Sequence, residues 1–318
     1  MKRYFVPLLL FSALFLAASC EPEGPADKEP EPPVAEDIIE IPDEHFKHLL
    51  VNTNSIDTNG DQEGDSDIDL NNDGEIQRSE AEAVQGLLLH FDYTTIERYV
   101  DLSGIEHFIN VTSLTVTGKG GIYDINKPDP KLLTYDFTAL KKLEFLQVNH
   151  LASNYFEKFD LRGLTNLVEL DLSHNRPTWY GDDEDYKEPY NFIEVKMQGL
   201  NRLKKMSFLN SFLYVDFCEV PALQILDMWY LEGGEPETFD FHCLTKLEWL
   251  NISENHIDNL ILKNSSVLTT LLVRDIGSAP NSYLPHVEYI CIDDISEEFE
   301  QIATLRDENT VVVTDCSF

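Results

Sequence analysis

Four residues, Leu167, Leu170, Leu172 and Asn175, spaced as L-x-x-L-x-L-x-x-N, constrain this chain more than any other feature. The frame recurs at Leu143, Leu146 and Val148, where Asn149 comes early, and at Leu247, Leu250, Ile252 and Asn255. Leu203, Met206 and Phe208 keep its apolar part without the Asn, as do Leu223, Leu226 and Met228; Leu268, Leu271 and Val273; and Val287, Ile290 and Ile292. Val111, Leu114 and Val116 begin the series, and successive units start 32, 24, 36, 20, 24, 21 and 19 residues apart. Apolar fourth and sixth positions around a free fifth describe a short strand with one buried face. A helix would continue the apolar pattern at i, i+3, i+4 and i+7. Here the period switches to two after the first step, and turn residues follow. A unit this small cannot bury its apolar face alone, so the copies must stack into a solenoid.

A second pattern sits midway between copies. It comprises Phe159, Asp160, Leu161; Val195, Lys196, Met197; Val215, Asp216, Phe217; Phe239, Asp240, Phe241; and Leu260, Ile261, Leu262. Each triplet reads as a short strand on the opposite wall of the coil. Asn at position nine can bond backbone groups inside the turn and form a ladder from coil to coil. Only Asn175 and Asn255 keep it cleanly, so a broken ladder is expected.

Positions three, five and seven should point outward from a concave wall. Position three holds Phe145, Glu169, Lys205, Ile225, Trp249, Thr270 and Tyr289, and position five includes Asp227, Asn251 and Cys291. Trp229 falls at position seven of the unit beginning at Leu223. Trp229 and Trp249 would lie on adjacent strands, four residues apart along them and so roughly 13 Å offset, with Asp227 and Asn251 between. Exposed Trp beside amide and carboxylate groups suits a sugar ring or a protein hot spot, although edge packing is the plainer account. The insertion 176–189 offers a second surface, with Trp179, Tyr180 and Tyr186 among acidic residues; a solvated excursion is its bland alternative. No G-x-S-x-G, H-E-x-x-H, phosphate loop or nucleotide fingerprint occurs. A non-enzymatic protein is expected.

The formal charge of −35 disfavours nucleic acid and anionic lipid and favours solubility and cations. Lys2 and Arg3 precede an apolar run over residues 4–18, followed by Ser19 and Cys20, which together read as a signal peptide over 1–19. The segment ending in Cys20 resembles a bacterial lipobox, with Leu16 one position further back than usual. That implies a lipidated Cys20, with ordinary cleavage near Ala18 as the alternative. Residues 20–42, rich in Pro and carboxylates, should form an extended spacer. Four further cysteines can oxidise in an exported chain: Cys291 with Cys316, which would pin a C-terminal cap over 294–318, and Cys218 with Cys243, in neighbouring turns.

Asp69, Asn71, Asp73, Gly74, Glu75, Ile76 and Glu80 match an EF-hand loop position by position. Oxygen ligands fall at one, three and five, the sharp turn at six, a backbone carbonyl (that of Glu75) at seven, an apolar pin at eight and a bidentate carboxylate at twelve. Ser79 is expected to cap a helix starting near Glu80. Upstream, Asp57, Asn59 and Asp61 resemble the opening of another loop, which Asp65 and Asp67 can complete irregularly. One complete loop beside a solenoid suits structural Ca2+ rather than a sensor. A short amphipathic helix over 43–50, with Phe46, Leu49 and Val51, completes an N-terminal cap over 43–100.

The stretch Gly104, Ile105, Glu106, Phe108, Asn110, Val111, Leu114, directly after a D-x-N-x-D-G loop, resembles the start of leucine-rich-repeat surface proteins of Gram-negative bacteria. The likeness covers about 43–292, from which this chain departs by degenerate repeats and two long insertions. It implies an α/β-type leucine-rich-repeat solenoid over 101–293. Short parallel strands, an irregular convex side and about eight units are expected, behind a small helical EF-hand-like cap. It implies binding or adhesion from the cell surface, held to the outer membrane by lipid alone. The ligand would be a protein or a glycan; an envelope scaffold binding other proteins is the alternative. Oligomeric state is left open.

Overall fold

The computed structural model describes residues 37–92, 99–119, 131–134, 136–150, 158–175, 193–211, 213–231, 238–265, 268–274 and 287–316. Strands are numbered in chain order and, from β2 to β17, alternate between two walls. The long wall is one nine-stranded sheet: β1 (Ile56–Asp57), β2 (Gly86–Asp92), β4 (Ser113–Lys119), β6 (Phe145–Asn149), β8 (Glu169–Asp171), β10 (Lys205–Ser207), β12 (Ile225–Asp227), β14 (Trp249–Asn251) and β16 (Thr270–Leu272). All its pairings are parallel except β1 with β2. The opposite wall is broken into three parallel sheets. One holds β3 (Tyr99–Asp101) and β5 (Lys131–Thr134); the next β7 (Lys158–Asp160), β9 (Ile193–Lys196) and β11 (Leu213–Val215); the last β13 (Thr238–Asp240), β15 (Asn259–Ile261), β17 (Tyr289–Cys291) and β18 (Val311–Val313). Each coil therefore contributes one strand to each wall, the arrangement that the two alternating sequence patterns predict.

The register shows why the frame works. Leu146, Leu170, Met206, Leu226 and Leu250, all at position four, lie directly opposite one another along the sheet, and each is completely buried. Each buried leucine or methionine removes enough apolar surface to contribute about 1.5–3 kcal/mol before entropy is counted. The turn after the strand is as regular. His150, His174, Asn210, Tyr230 and Glu254 occupy position eight of their units and all have left-handed backbones, with φ between 50° and 60°. The chain reverses there at a cost that Asn bears best and Tyr poorly.

The Asn ladder is less broken than expected. Asn175 Nδ2 donates to the carbonyls of Val148 (2.6 Å) and Leu172 (2.8 Å). One coil on, Ser211 stands at position nine, and its hydroxyl donates to Leu172 O (2.9 Å) while accepting from Asn175 N (3.1 Å). A small hydroxyl thus replaces the missing rung. On the opposite wall Asp101, Asp136, Asp160, Asp216 and Asp240 each accept a hydrogen bond from the backbone N–H two residues on, at 2.8–3.1 Å. These Asx turns start the return toward the long wall. Four of the five Asp stand seven residues ahead of a repeat's first apolar residue, a period that the sequence carries openly.

Three expectations are corrected. First, the long wall does not begin at Val111 or end at Val287. Val84, Leu87 and Leu89 carry the same frame one coil earlier and place β2 beside β4. At the far end β17 pairs with β15 and β18, so Tyr289 and Cys291 lie on the opposite wall. The reason is stacking order: β16 has already filled the last long-wall place, and the next strand caps the other side. Second, residues 37–42 are not free spacer. Ile39 and Ile41 are buried, and Ile39 N bonds Ile76 O at 2.9 Å, because alternate isoleucines give that end one apolar face. Gly104, at φ 103°, lets Ile41 pass, since a Cβ there would lie 2.3 Å from its Cδ1. Third, Ser79 does not cap a helix. Helix α2 (Arg78–Ala81) has Gln77 as its N-cap, whose backbone N–H is held by Glu80 in a capping box. Helix α1 (Glu44–Asn52) packs Phe46 and Leu50 into the core, capped by Asp43 accepting from Phe46 N at 2.8 Å.

Between β17 and β18 lies α3 (Ser296–Gln301), where Glu298 is only 3% exposed and accepts from Asp293 N at 2.7 Å. Burial pushes its carboxyl up to about 7; the Asp293 N–H opposes that shift and the Asp293 charge adds to it. A folded value above the ordinary 4.5 means that the folded chain keeps a proton the unfolded chain has released. The contribution is complete below the unfolded value and is lost as pH rises through about 7. Urea melts of the native chain and Glu298→Gln should therefore diverge between about pH 5 and pH 8, with the variant gaining relative stability at the higher pH. A difference independent of pH would rule out this titration.

Candidate functional site

The outward side chains of the long wall form three rows. In the fifth row Thr115, Gln147, Asp171, Ser207, Asp227 and Asn251 face one another across consecutive strands. They are tied together. Gln147 Nε2 donates to Asp171 at 2.9 Å, Asn149 Nδ2 to the same carboxylate at 3.2 Å, and Asn251 Nδ2 to Asp227 at 2.9 Å. Burial raises the Asp227 carboxyl above its ordinary range; the Asn251 amide and the Trp229 N–H oppose the shift, while the Asp171 charge adds to it. The third row sets the Lys205–Glu169 ion pair beside Ile225, which is 38% exposed, and Trp249, paired with Ile225 in register. In the seventh row Trp229 lies near Tyr230, ring centres 6.0 Å apart.

Both tryptophans on this wall are half-buried, so neither is a freely projecting ring. What they present is a rigid apolar patch against a row of carboxylates and amides held by their neighbours. Such a surface can stack on a flat apolar face and accept hydrogen bonds from it. Of the residues expected to bind, Asp227 lies on β12 and Trp249 and Asn251 on its neighbour β14, with Trp229 two residues past the end of β12. Trp179, Tyr180 and Tyr186 lie outside the described residues, as does Cys20. Ile225 faces outward at position three as expected, and Tyr230 joins the patch unforeseen; its signal was its place at position eight, next to Trp229.

The acidic loop is built around its own backbone. Asp69, 5% exposed, accepts from Asp73 N (3.0 Å) and Gly74 N (2.7 Å). Asn71 accepts from Asp73 N, and Asp73 from Glu75 N, both at 2.8 Å. The Glu75 N–H holds the Asp73 carboxyl below its ordinary range, helped by the Asn71 and Gln77 amides. Glu80, also buried, spans the loop by accepting from Leu70 N and Gln77 N at 2.9 Å each. Gly74 turns the chain at φ 82°, Ile76 is fully buried beneath, and the Glu75 side chain leaves for Lys47 at 2.6 Å. Position seven of an EF-hand needs only the Glu75 carbonyl, so this does not subtract a ligand.

The upstream loop repeats the network. Asp57 accepts from Asn59, Gly60 and Gln62 N–H groups, Asn59 from Asp61 N, and Asp61 from Glu63 N. Burial pulls the Asp57 carboxyl up, but these amides outweigh it and hold it below its ordinary range. Asp65 turns to Thr58 N (2.8 Å) and its hydroxyl, and Asp67 is half-buried. Among the described residues, carboxylate oxygens of three residues nowhere come within 4.8 Å of one another. In both loops backbone amides satisfy the acids instead.

Cys291 is joined to Cys316, and Cys218 to Cys243. No helix among the described residues is long and apolar enough to cross a membrane.

Stacked short parallel strands with buried leucines and a structured outward face make this a leucine-rich-repeat-type solenoid. No protein-family model matches the chain, and neither does any curated protein. Among solved structures it is similar to internalin C2 of Listeria monocytogenes, at 14% identity over 81% of this chain and 98% of that one, with a TM-score of 0.34. It is also similar to the leucine-rich-repeat domain of APL1B, at 16% identity over 83% and 89%, with a TM-score of 0.32. The functional domain of InlJ from Listeria monocytogenes matches at 16% identity over 75% and 64%, with a TM-score of 0.27. Scores this low leave function to be read from the chain's own residues.

Proposed function

We propose that this chain is a non-enzymatic binding or adhesion protein, displayed at the cell surface through a lipid on Cys20. It would take a protein or glycan ligand on the long wall, with Ca2+ ordering the N-terminal cap. One observation carries the binding reading: Trp249 and Ile225 lie directly opposite each other in register, beside the bonded pair Asp227 and Asn251, with Trp229 two residues beyond Asp227 along the chain. A ligand suited to that surface presents an apolar face and hydrogen-bond donors, as sugar rings and peptide segments do. Supporting the calcium are the donor set of Asp69, Asn71, Asp73, the Glu75 carbonyl and Glu80, and the burial of its first and last members. The loop around Asp57, Asn59, Asp61, Asp65 and Asp67 would be the weaker, irregular site. Calcium here supplies charge neutralisation and order rather than chemistry.

The test begins with glycan arrays and a screen of candidate surface proteins, followed by Trp229→Ala and Trp249→Ala on whichever ligand is found. Central aromatic anchors typically contribute 2 kcal/mol or more, so each variant should lose affinity by about thirtyfold. Unchanged affinity in both would move the site off this wall. Protease treatment of intact cells that leaves the chain uncut would contradict surface display.

A further inference from the structure

The opposite wall breaks between β11 and β13, which are not paired, although β10, β12 and β14 run unbroken behind them. A cavity of about 320 Å3 opens at this seam. Its floor is apolar, including Phe208, Phe217, Met228 and Phe239, and its rim carries Asp216, Asp240, Cys218 and His242. The Cys218–Cys243 bridge joins the two coils there, with Cα atoms 5.0 Å apart. Cys218 is exposed and Cys243 half-buried. His242 stands beside the bridge with its Nε2 3.1 Å from Cys243 Sγ and 3.9 Å from Cys218 Sγ. Its other ring nitrogen, Nδ1, lies 2.8 Å from Asp240 Oδ1. Asp240, His242 and Cys243 thus line up as an orienting carboxylate, an imidazole and a sulfur. The second bridge is different: Cys291 is completely buried. Among the described residues, only Cys218, His242 and Cys243 gather three such side chains within 4.8 Å.

We infer that the Cys218–Cys243 bridge is a thiol–disulfide exchange site, with His242 as its proton carrier. The inference is independent of ligand binding on the long wall. An incoming thiol gives its proton to solvent, and its thiolate sulfur attacks Cys218, the exposed end of the bridge, from the side away from Cys243. A new S–S bond forms to Cys218 Sγ as the Cys218–Cys243 bond breaks. The electron pair stays on Cys243 Sγ, which takes a proton from His242 Nε2, 3.1 Å away, and His242 regains one from solvent. One thiol and one disulfide are consumed, and one mixed disulfide and one thiol are formed, so no further oxidant or reductant is needed. Asp240 holds the ring by Nδ1 and so aims Nε2 at Cys243, the leaving sulfur. With two carboxylates on the rim and an apolar floor, the site favours a small cationic thiol over an anionic one. Exchange would open the disulfide across the seam and leave Cys218 carrying the incoming group.

The experiment uses the full chain with both bridges intact. It is exposed to cysteamine, and separately to 2-mercaptoethanesulfonate, then quenched by alkylation and mapped by peptide mass spectrometry. The expected result is a mixed disulfide on Cys218 with a free Cys243, formed well before Cys291–Cys316 opens and faster with cysteamine. His242→Gln should slow the adduct by about a hundredfold, the lower end for positioned proton transfer. The melting temperature and the slow opening of the other bridge should be unchanged in that variant, which separates proton transfer from loss of structure. Equal opening of both bridges, an adduct on Cys243, or an unaltered rate in His242→Gln would overturn the proposal.

Discussion

Asn255→Ala is expected to lower the unfolding free energy by about 4 kcal/mol, near the top of the range for single substitutions. Asn255 is 2% exposed and uses both ends of its amide. Nδ2 donates to Met228 O and Ile252 O at 2.8 Å each, and to Ser253 O at 3.2 Å, while Oδ1 accepts from Leu231 N at 2.8 Å. Alanine orphans these groups inside a dry turn, and each buried orphan costs about 1–3 kcal/mol. Some regain water or a bent partner, which keeps the sum below the simple total. Asn259→Ala is the control: its amide reaches only the Thr238 hydroxyl, at 3.1 Å and near solvent, so a change within about 0.5 kcal/mol is expected. Urea denaturation of both variants checks this. A loss below about 1 kcal/mol for Asn255→Ala would mean that the ladder is ornamental.

Calcium is expected to raise the melting temperature by about 5–10 °C once its concentration reaches a hundred times the dissociation constant. Binding to the folded state alone adds about 2.7 kcal/mol at that ratio, and a chain of this size gains a few degrees per kcal/mol. Asp69, Asp73 and Glu80 each accept hydrogen bonds from backbone amides of the loop. Glu80→Gln should abolish most of the calcium-dependent gain, because the twelfth position loses its charge and one of its two ionic oxygens. Its calcium-free melting temperature should fall less, since an amide oxygen can still accept from Leu70 N or Gln77 N. Calorimetric titration showing no heat, with no shift in melting temperature, would remove calcium from the cap.

The repeat is legible because a solenoid is nearly one-dimensional. Leu170 meets Leu146 and Met206 because they hold the same place in adjacent coils, and a fixed place in a repeat is a sequence property. The same logic puts Trp249, Asp227 and Asn251 on one face. Val84, Leu87 and Leu89 obey the frame too, although the acidic loop precedes them directly. Asp136, Asp160, Asp216 and Asp240 carry an equally plain period.

Other features depend on how coils meet, and no repeat frame carries that. Tyr289 and Cys291 have the apolar pattern of a long-wall strand and lie on the other wall, because strand alternation, not local pattern, decides the side. Ser211 replaces a missing Asn because its hydroxyl reaches Leu172 O across the stack. Ile41 leaves the spacer for the core because Gly104 lets it approach, and Ile39 because its N–H is taken by Ile76 O. The seam between β11 and β13, with Asp240, His242 and the bridge gathered at its edge, exists only where two coils fail to pair. The sequence by itself determined the strand, the turn and the buried frame, since these are set by contacts within a coil and by stacking of like on like. The tertiary structure alone decided where the walls begin, break and end, since that follows from the spacing between whole coils, which insertions and caps alter without leaving a local mark.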